Sequence, residues 1–127
     1  MVKITIKTDC GNAPKREFLK KFNSAFAKGD VEFLIASVSD EIVWDRVGDK
    51  QINGKEEFTA ELQNMKSEKT TELILDQILS HGKEGAANGV LKMESGKVYA
   101  FADFYCFTSA KGEKIKSITS YLVELKK

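Results

Sequence analysis

From Thr70 onward the sequence reads as strand. Four long segments, about 70–81, 84–95, 97–109 and 114–125, are separated only by the turns His81-Gly82-Lys83, Ser95-Gly96-Lys97 and Ala110-Lys111-Gly112-Glu113. Consecutive strands joined by turns this short pair as an antiparallel meander, because parallel neighbours need a crossover of a dozen residues or more. Whatever covers this sheet must come from the first half of the chain.

That half is mostly helical by pattern. Residues 2–7 alternate apolar and polar as a short edge strand, followed by a turn from Asp9 to Ala13. Asn12 is a candidate N-cap, with Pro14 in the first turn, where its missing N–H costs nothing. A helix then runs to about Lys28, with Phe18, Phe22 and Phe26 recurring every four residues beside Leu19 and Ala25. Gly29 ends it and Asp30 caps a second helix, which carries Val31, Leu34, Ile35 and Val38 on one face. A strand from Glu41 to Val47, a turn at Gly48-Asp49 and a third helix after Asn53-Gly54 follow. Glu56 and Glu57 suit the first turn of that helix, and Phe58, Leu62 and Met65 form its apolar stripe. Helices first and a long sheet afterwards make an α+β domain. At 127 residues the chain is the size of one domain, expected to span 1–127 with residues 1–8 as an extra strand. It buries roughly two thirds of its unfolded surface, enough for a core without disulfides or metals.

Charge excludes some partners. Twenty basic and 19 acidic residues leave a net charge of +1, which gives no footprint for nucleic acid or an anionic membrane. The N-terminus has no long apolar run, so a cytoplasmic location is expected. Cys10 and Cys106 lack zinc-site spacing, and His81 is the single imidazole, at a strand-to-turn junction that favours the surface. No metal or cofactor is expected, and no glycine-rich phosphate loop is present.

The segment 97–109 is apolar on both faces. One carries Tyr99, Phe101, Asp103, Tyr105 and Phe107; the other carries Val98, Ala100, Ala102, Phe104 and Cys106. A sheet covered by its own helices on one side and by a second copy on the other would satisfy both, so a homodimer is expected. Burial of both sides within one chain is the competing arrangement. Asp103 lies among aromatics with no Arg or Lys on its strand face. A carboxylate there must find a partner or take up a proton. It could be a neutral acid that donates a hydrogen bond, or a structural Asp bonded to backbone or to a tyrosine. Asp45, near the end of Ile42-Val43-Trp44-Asp45, shares a face with Val43, opposite Trp44. It is suited either to abstracting a proton beside an apolar wall or to pairing with Arg46 in solvent.

Taken together, Ala27-Lys28-Gly29-Asp30-Val31, Ile42-Val43-Trp44-Asp45-Arg46-Val47-Gly48-Asp49 with Asn53-Gly54-Lys55-Glu56-Glu57-Phe58, and Asp103-Phe104-Tyr105-Cys106-Phe107 with Lys114-Ile115-Lys116-Ser117-Ile118 resemble the ketosteroid isomerases. The wider group is the SnoaL-like and nuclear transport factor 2-like cone fold. The resemblance covers about residues 14–125. It implies three N-terminal helices packed on a strongly curved, mixed but mostly antiparallel sheet around an apolar pocket. It further implies Asp45 as general base and a protonated Asp103 as oxyanion donor in a cofactor-free isomerisation of an apolar carbonyl compound. Two positions depart from the family: its helix tyrosines fall at Phe22 and Leu62. Loss of an oxyanion donor costs ~10²–10³ in rate, so unless Tyr99 or Tyr105 replaces the hydroxyl, another lyase or hydrolase chemistry of the same fold, or ligand binding or dimerisation without turnover, is expected. The expected pocket wall comprises Phe18, Phe22 and Phe26 from the first helix and Phe58, Leu62 and Met65 from the third. Phe101 and Tyr105 join from the sheet, with Ile118, Ser120 and Leu122 from the last strand. Such a wall suits an apolar small-molecule ligand.

Overall fold

Local sequence explains most of the boundaries in the computed structural model, which describes residues 2–7, 13–65, 68–109 and 114–126. The first strand, β1, is Lys3–Ile6, and α1 is Pro14–Lys28 with its proline in the first turn. Gly29 closes α1 at φ 75°, where only glycine is unstrained. Its N–H reaches the Phe26 carbonyl while the Asp30 N–H reaches that of Ala25 at 2.9 Å, which satisfies two orphan acceptors. Asp30 then caps α2, Val31–Ala36, by accepting from the Phe33 N–H at 3.2 Å. β2 is Val38–Arg46, β3 is Gln51–Asn53 and α3 is Gly54–Met65. The four long strands are β4, Thr70–His81; β5, Glu84–Met93; β6, Val98–Phe107; and β7, Ile115–Glu124. The expected N-cap Asn12, Cys10 and the turn at 110–113 lie outside the described residues.

Two boundaries differ from the sequence reading. Val38 opens β2 instead of closing the second helix, because it pairs with Ile115 of β7, a partner far away in sequence. The short β3 follows the Gly48 turn and pairs antiparallel with β2, Trp44 opposite Ile52.

Among the described residues the sheet has seven strands, in the order β1-β4-β5-β6-β7-β2-β3. The meander β4 to β7 is antiparallel as expected, whereas β1 joins β4 and β2 joins β7 in parallel. A register shift between Leu75 and Gln77 bends β4 against β5. Gly89 sits beside that bend, where a Cβ would stand 1.9 Å from the Ile74 carbonyl oxygen. The close approach of the two backbones therefore requires glycine. The helices lie on the concave side. α1 crosses β4 and β5, and α3 lies against β2. Leu19, Leu34, Ile42, Phe58, Leu75, Ile78, Phe107 and Ile115 are wholly buried between the layers. Each side chain of that size contributes about 1.5–3 kcal/mol by leaving water. This is the α+β cone fold. No helix among the described residues is long and apolar enough to cross a membrane.

Candidate ligand cavity

Directly paired residues in a sheet project to the same face, so the ladders decide which side chains meet. Asp103 pairs with Ser120, which pairs in turn with Arg46. Tyr105, Ile118 and Trp44 form the next such row. Both rows face the concave side and line a cavity of about 1040 Å³ between sheet and helices, ample for a compact organic molecule. The row between them, Phe104, Thr119 and Asp45, faces outward. Phe104 is accordingly 54% exposed.

The cavity brings together ten of the eleven expected wall residues: Phe22, Phe26, Phe58, Leu62, Met65, Phe101, Tyr105, Ile118, Ser120 and Leu122. Phe18 is the exception. It packs against Phe22, Phe33 and Phe107, with ring centroids 5.9–6.3 Å apart, partly buried against the edge of the core. Of the two expected catalytic aspartates, Asp103 lines the cavity and Asp45 does not. Strand alternation separates Asp45 from Trp44 as anticipated, but parallel pairing with β7 turns Trp44 and Arg46 inward. The structure therefore does not bring Asp45 and Asp103 together.

Asp103 is the centre of a polar chain that runs between aromatic and aliphatic side chains of the cavity. The Tyr105 hydroxyl donates to its Oδ2 at 3.3 Å, and Ser120 faces it as its direct partner in the β6–β7 ladder. Trp44 Nε1 donates to Ser120 Oγ at 2.9 Å. Asn23 Nδ2 donates both to the Leu19 carbonyl at 2.9 Å and to the Tyr105 hydroxyl at 3.1 Å. Burial pushes the Asp103 carboxyl up from the ordinary 3.8 to about 6, against the opposing pull of the bonds from Ser120 and Tyr105. Burial and the neighbouring Asp103 charge push the Tyr105 phenol well above 10, so it remains a neutral donor. Tyr105 thus places a hydroxyl beside Asp103, and Tyr99 also lines the cavity.

A second polar group crosses from β2 to α3. Arg46 lies 5.2 Å from the Trp44 ring centre and donates to Glu61 Oε2 at 2.6 Å, while also pairing with Asp49. Lys50 approaches Glu61 Oε1 at 2.9 Å. The Lys50 bond and the Arg46 charge outweigh desolvation and hold the Glu61 carboxyl below the usual range.

Sequence reasoning missed Asn23, Arg46 and Glu61 as cavity residues, and it left Trp44 off the wall. Asn23 had a signal: it lies four residues after Leu19, a polar group on the apolar stripe of α1. Arg46 shares the parity of Trp44, so placing one inward places the other. His81 is exposed, as expected.

The sequence matches no family profile and no curated protein. Solved structures, however, share its fold. A nuclear transport factor 2-like protein of unknown function from Burkholderia xenovorans superposes with a TM-score of 0.76 at 18% identity, covering 94% of this chain and 90% of that one. An LEH-like epoxide hydrolase from Mycobacterium tuberculosis gives 0.73 at 16% identity, covering 86% and 82%. A candidate ketosteroid isomerase from Kribbella flavida gives 0.73 at 13% identity, covering 89% and 80%. At these identities the likeness establishes the nuclear transport factor 2-like fold.

Proposed function

We propose that a chain of this fold, with a cavity of this composition, binds a compact apolar molecule and performs cofactor-free proton transfer on it, with Asp103 as the acid–base group. The observation that carries this reading is one carboxyl among aromatic side chains inside the cavity, bonded to Tyr105 and facing Ser120. A group that titrates near 6 exchanges a proton readily at neutral pH, the property a general acid–base needs. The apolar side chains beside it lower the local polarity, which strengthens hydrogen bonds made there. Solved structures of the same fold are named for hydrolysis of an epoxide and for isomerisation of a ketosteroid, both reactions on apolar compounds.

Binding without turnover is the second reading. It is favoured by Asp45, which faces away and leaves Asp103 without the opposing carboxylate that a two-aspartate isomerase uses. One experiment separates the two. Cyclic enones are titrated against the emission of Trp44, the single tryptophan, which lines the cavity. Deuterium exchange at their acidic carbons is then followed by NMR. Exchange that is accelerated by wild type and lost in Asp103→Asn supports catalysis. Saturable binding with no exchange supports the binding reading, and no binding of any apolar probe sinks both.

The outward face belongs to the same proposal. Leu79, Phe104, Tyr121 and Val123 are each about half exposed on a surface that no helix covers. Phe104 and Tyr121 meet edge to face, with centroids 6.1 Å apart. An apolar sheet face of this kind suits a second copy of the chain, so the working state is a homodimer with its two cavities facing apart. Sedimentation that shows a monomer at micromolar concentration would remove that part of the proposal.

A further inference from the structure

We infer that Trp44 and Asn23 are positioning residues that fix the direction of the protons around Asp103, and that the ligand consequently meets Asp103 as a proton donor. The ligand class is then a phenol, an enol or an acidic C–H, not a carbonyl oxygen in search of a proton. This inference rests on the cavity being a ligand site, as proposed above.

The direction follows from donor chemistry. An indole N–H can only donate. Ser120 Oγ therefore accepts from Trp44 Nε1 at 2.9 Å, which leaves the serine proton free for Asp103, its direct partner across the β6–β7 ladder. On the opposite side, one Asn23 Nδ2 hydrogen is committed to the Leu19 carbonyl and the other to the Tyr105 oxygen at 3.1 Å. Tyr105 therefore directs its own proton to Asp103 Oδ2 at 3.3 Å. Two hydroxyls, each oriented by a nitrogen behind it, converge on one carboxyl. Such an arrangement is matched to the ionised acceptor, because a carboxylic acid would bring a third proton into a ring of donors. This differs from the role implied by the family resemblance, in which the matching carboxyl is the donor.

The charged and titratable groups that share the cavity come from every wall. β2 contributes Arg46, α3 Glu61, β6 Tyr99 and Tyr105, and α1 Lys28, with Asp49, Glu68, Lys69 and Glu94 elsewhere on the lining. Arg46 and Glu61 neutralise each other at 2.6 Å. The test cancels the remainder by comparing two ligands of nearly equal shape that differ in a single donor.

The probes are 2-naphthol and 2-methoxynaphthalene, with affinities measured by calorimetry between pH 4.5 and 8. Naphthol is expected to bind about tenfold or more tightly than the ether at pH 8, the usual worth of a hydrogen bond to a charged group. The preference collapses toward parity as Asp103 takes up its proton. Ser120→Ala removes one converging donor and moves the midpoint of that collapse up by about one pH unit, and Ser120→Thr, which keeps a hydroxyl, restores it. Trp44→Phe keeps the ring and moves the midpoint in the same direction by less. Tyr105→Phe offers a second route to the same upward movement if the serine variant does not fold. Equal affinities at pH 8, or a preference for the ether, would overturn the inference while leaving the cavity a ligand site. A naphthol preference whose midpoint is unmoved in Ser120→Ala or Tyr105→Phe overturns the positioning roles. Failure of both compounds to saturate the protein overturns the cavity reading and this inference with it.

Discussion

Replacing Asp103 by asparagine should change how stability depends on pH, with a sign that the cavity dictates. In the folded protein the carboxyl titrates near 6; unfolded, it returns to about 3.8. Between those values the folded state binds the proton and the unfolded state does not. Stability contributed by this group is therefore fully present below about pH 4 and is lost as pH rises through 6. The span corresponds to about 3 kcal/mol. Asp103 keeps some accessible surface, but it opens onto the cavity, so screening by bulk solvent is weak. For a domain of this size that is a difference of roughly ten degrees in melting temperature. The measurement is urea unfolding of wild type and Asp103→Asn at intervals from pH 4 to 8. The stability of wild type minus that of the variant should fall by about 2.5 kcal/mol across the range, while contributions from Glu61 and the surface carboxylates cancel. A constant offset between the two proteins can arise from asparagine packing and does not matter. A difference that stays flat with pH, or grows as pH rises, would refute the reasoning. Asp103 would then be as well solvated folded as unfolded.

Three further outcomes follow from the same geometry. Asp45→Asn should leave the affinity of cavity ligands unchanged within about twofold by calorimetry, because Asp45 shares the outer row with Phe104 and Thr119; a large loss would mean that it reaches the cavity. Gly89→Ala would force a Cβ to within 1.9 Å of the Ile74 carbonyl oxygen, so a loss of about 4 kcal/mol or outright failure to fold is expected by circular dichroism. Glu61→Ala strips Arg46 and Lys50 of their shared partner on α3, which should cost about 2 kcal/mol in urea unfolding and lower ligand affinity where α3 closes the cavity.

Much of the fold was legible because its signals are local. The period-two pattern after Thr70, the four-residue spacing of Phe18, Phe22 and Phe26, and the stop and cap at Gly29-Asp30 all act within a few residues of backbone. The helices, the strands and the α+β order could therefore be read directly. The inward face of β6 was legible too, since one of its faces carried the aromatics together with Asp103. Most of the pocket wall followed from these same stripes.

What the chain alone determined was parity: which side chains share a face and which oppose. Alternation separated Trp44 from Asp45 correctly, but it says nothing about which of the two looks inward. Only tertiary structure decided that, through the parallel pairing of β2 with β7, residues some 75 positions apart brought into one row with β6. The same long-range pairing moved Val38 from helix to strand, and contacts with Phe33 and Phe107 hold Phe18 outside the cavity. Propensity and spacing are properties of neighbours along the backbone. The choice of face depends on a contact that exists only after the distant strands have met.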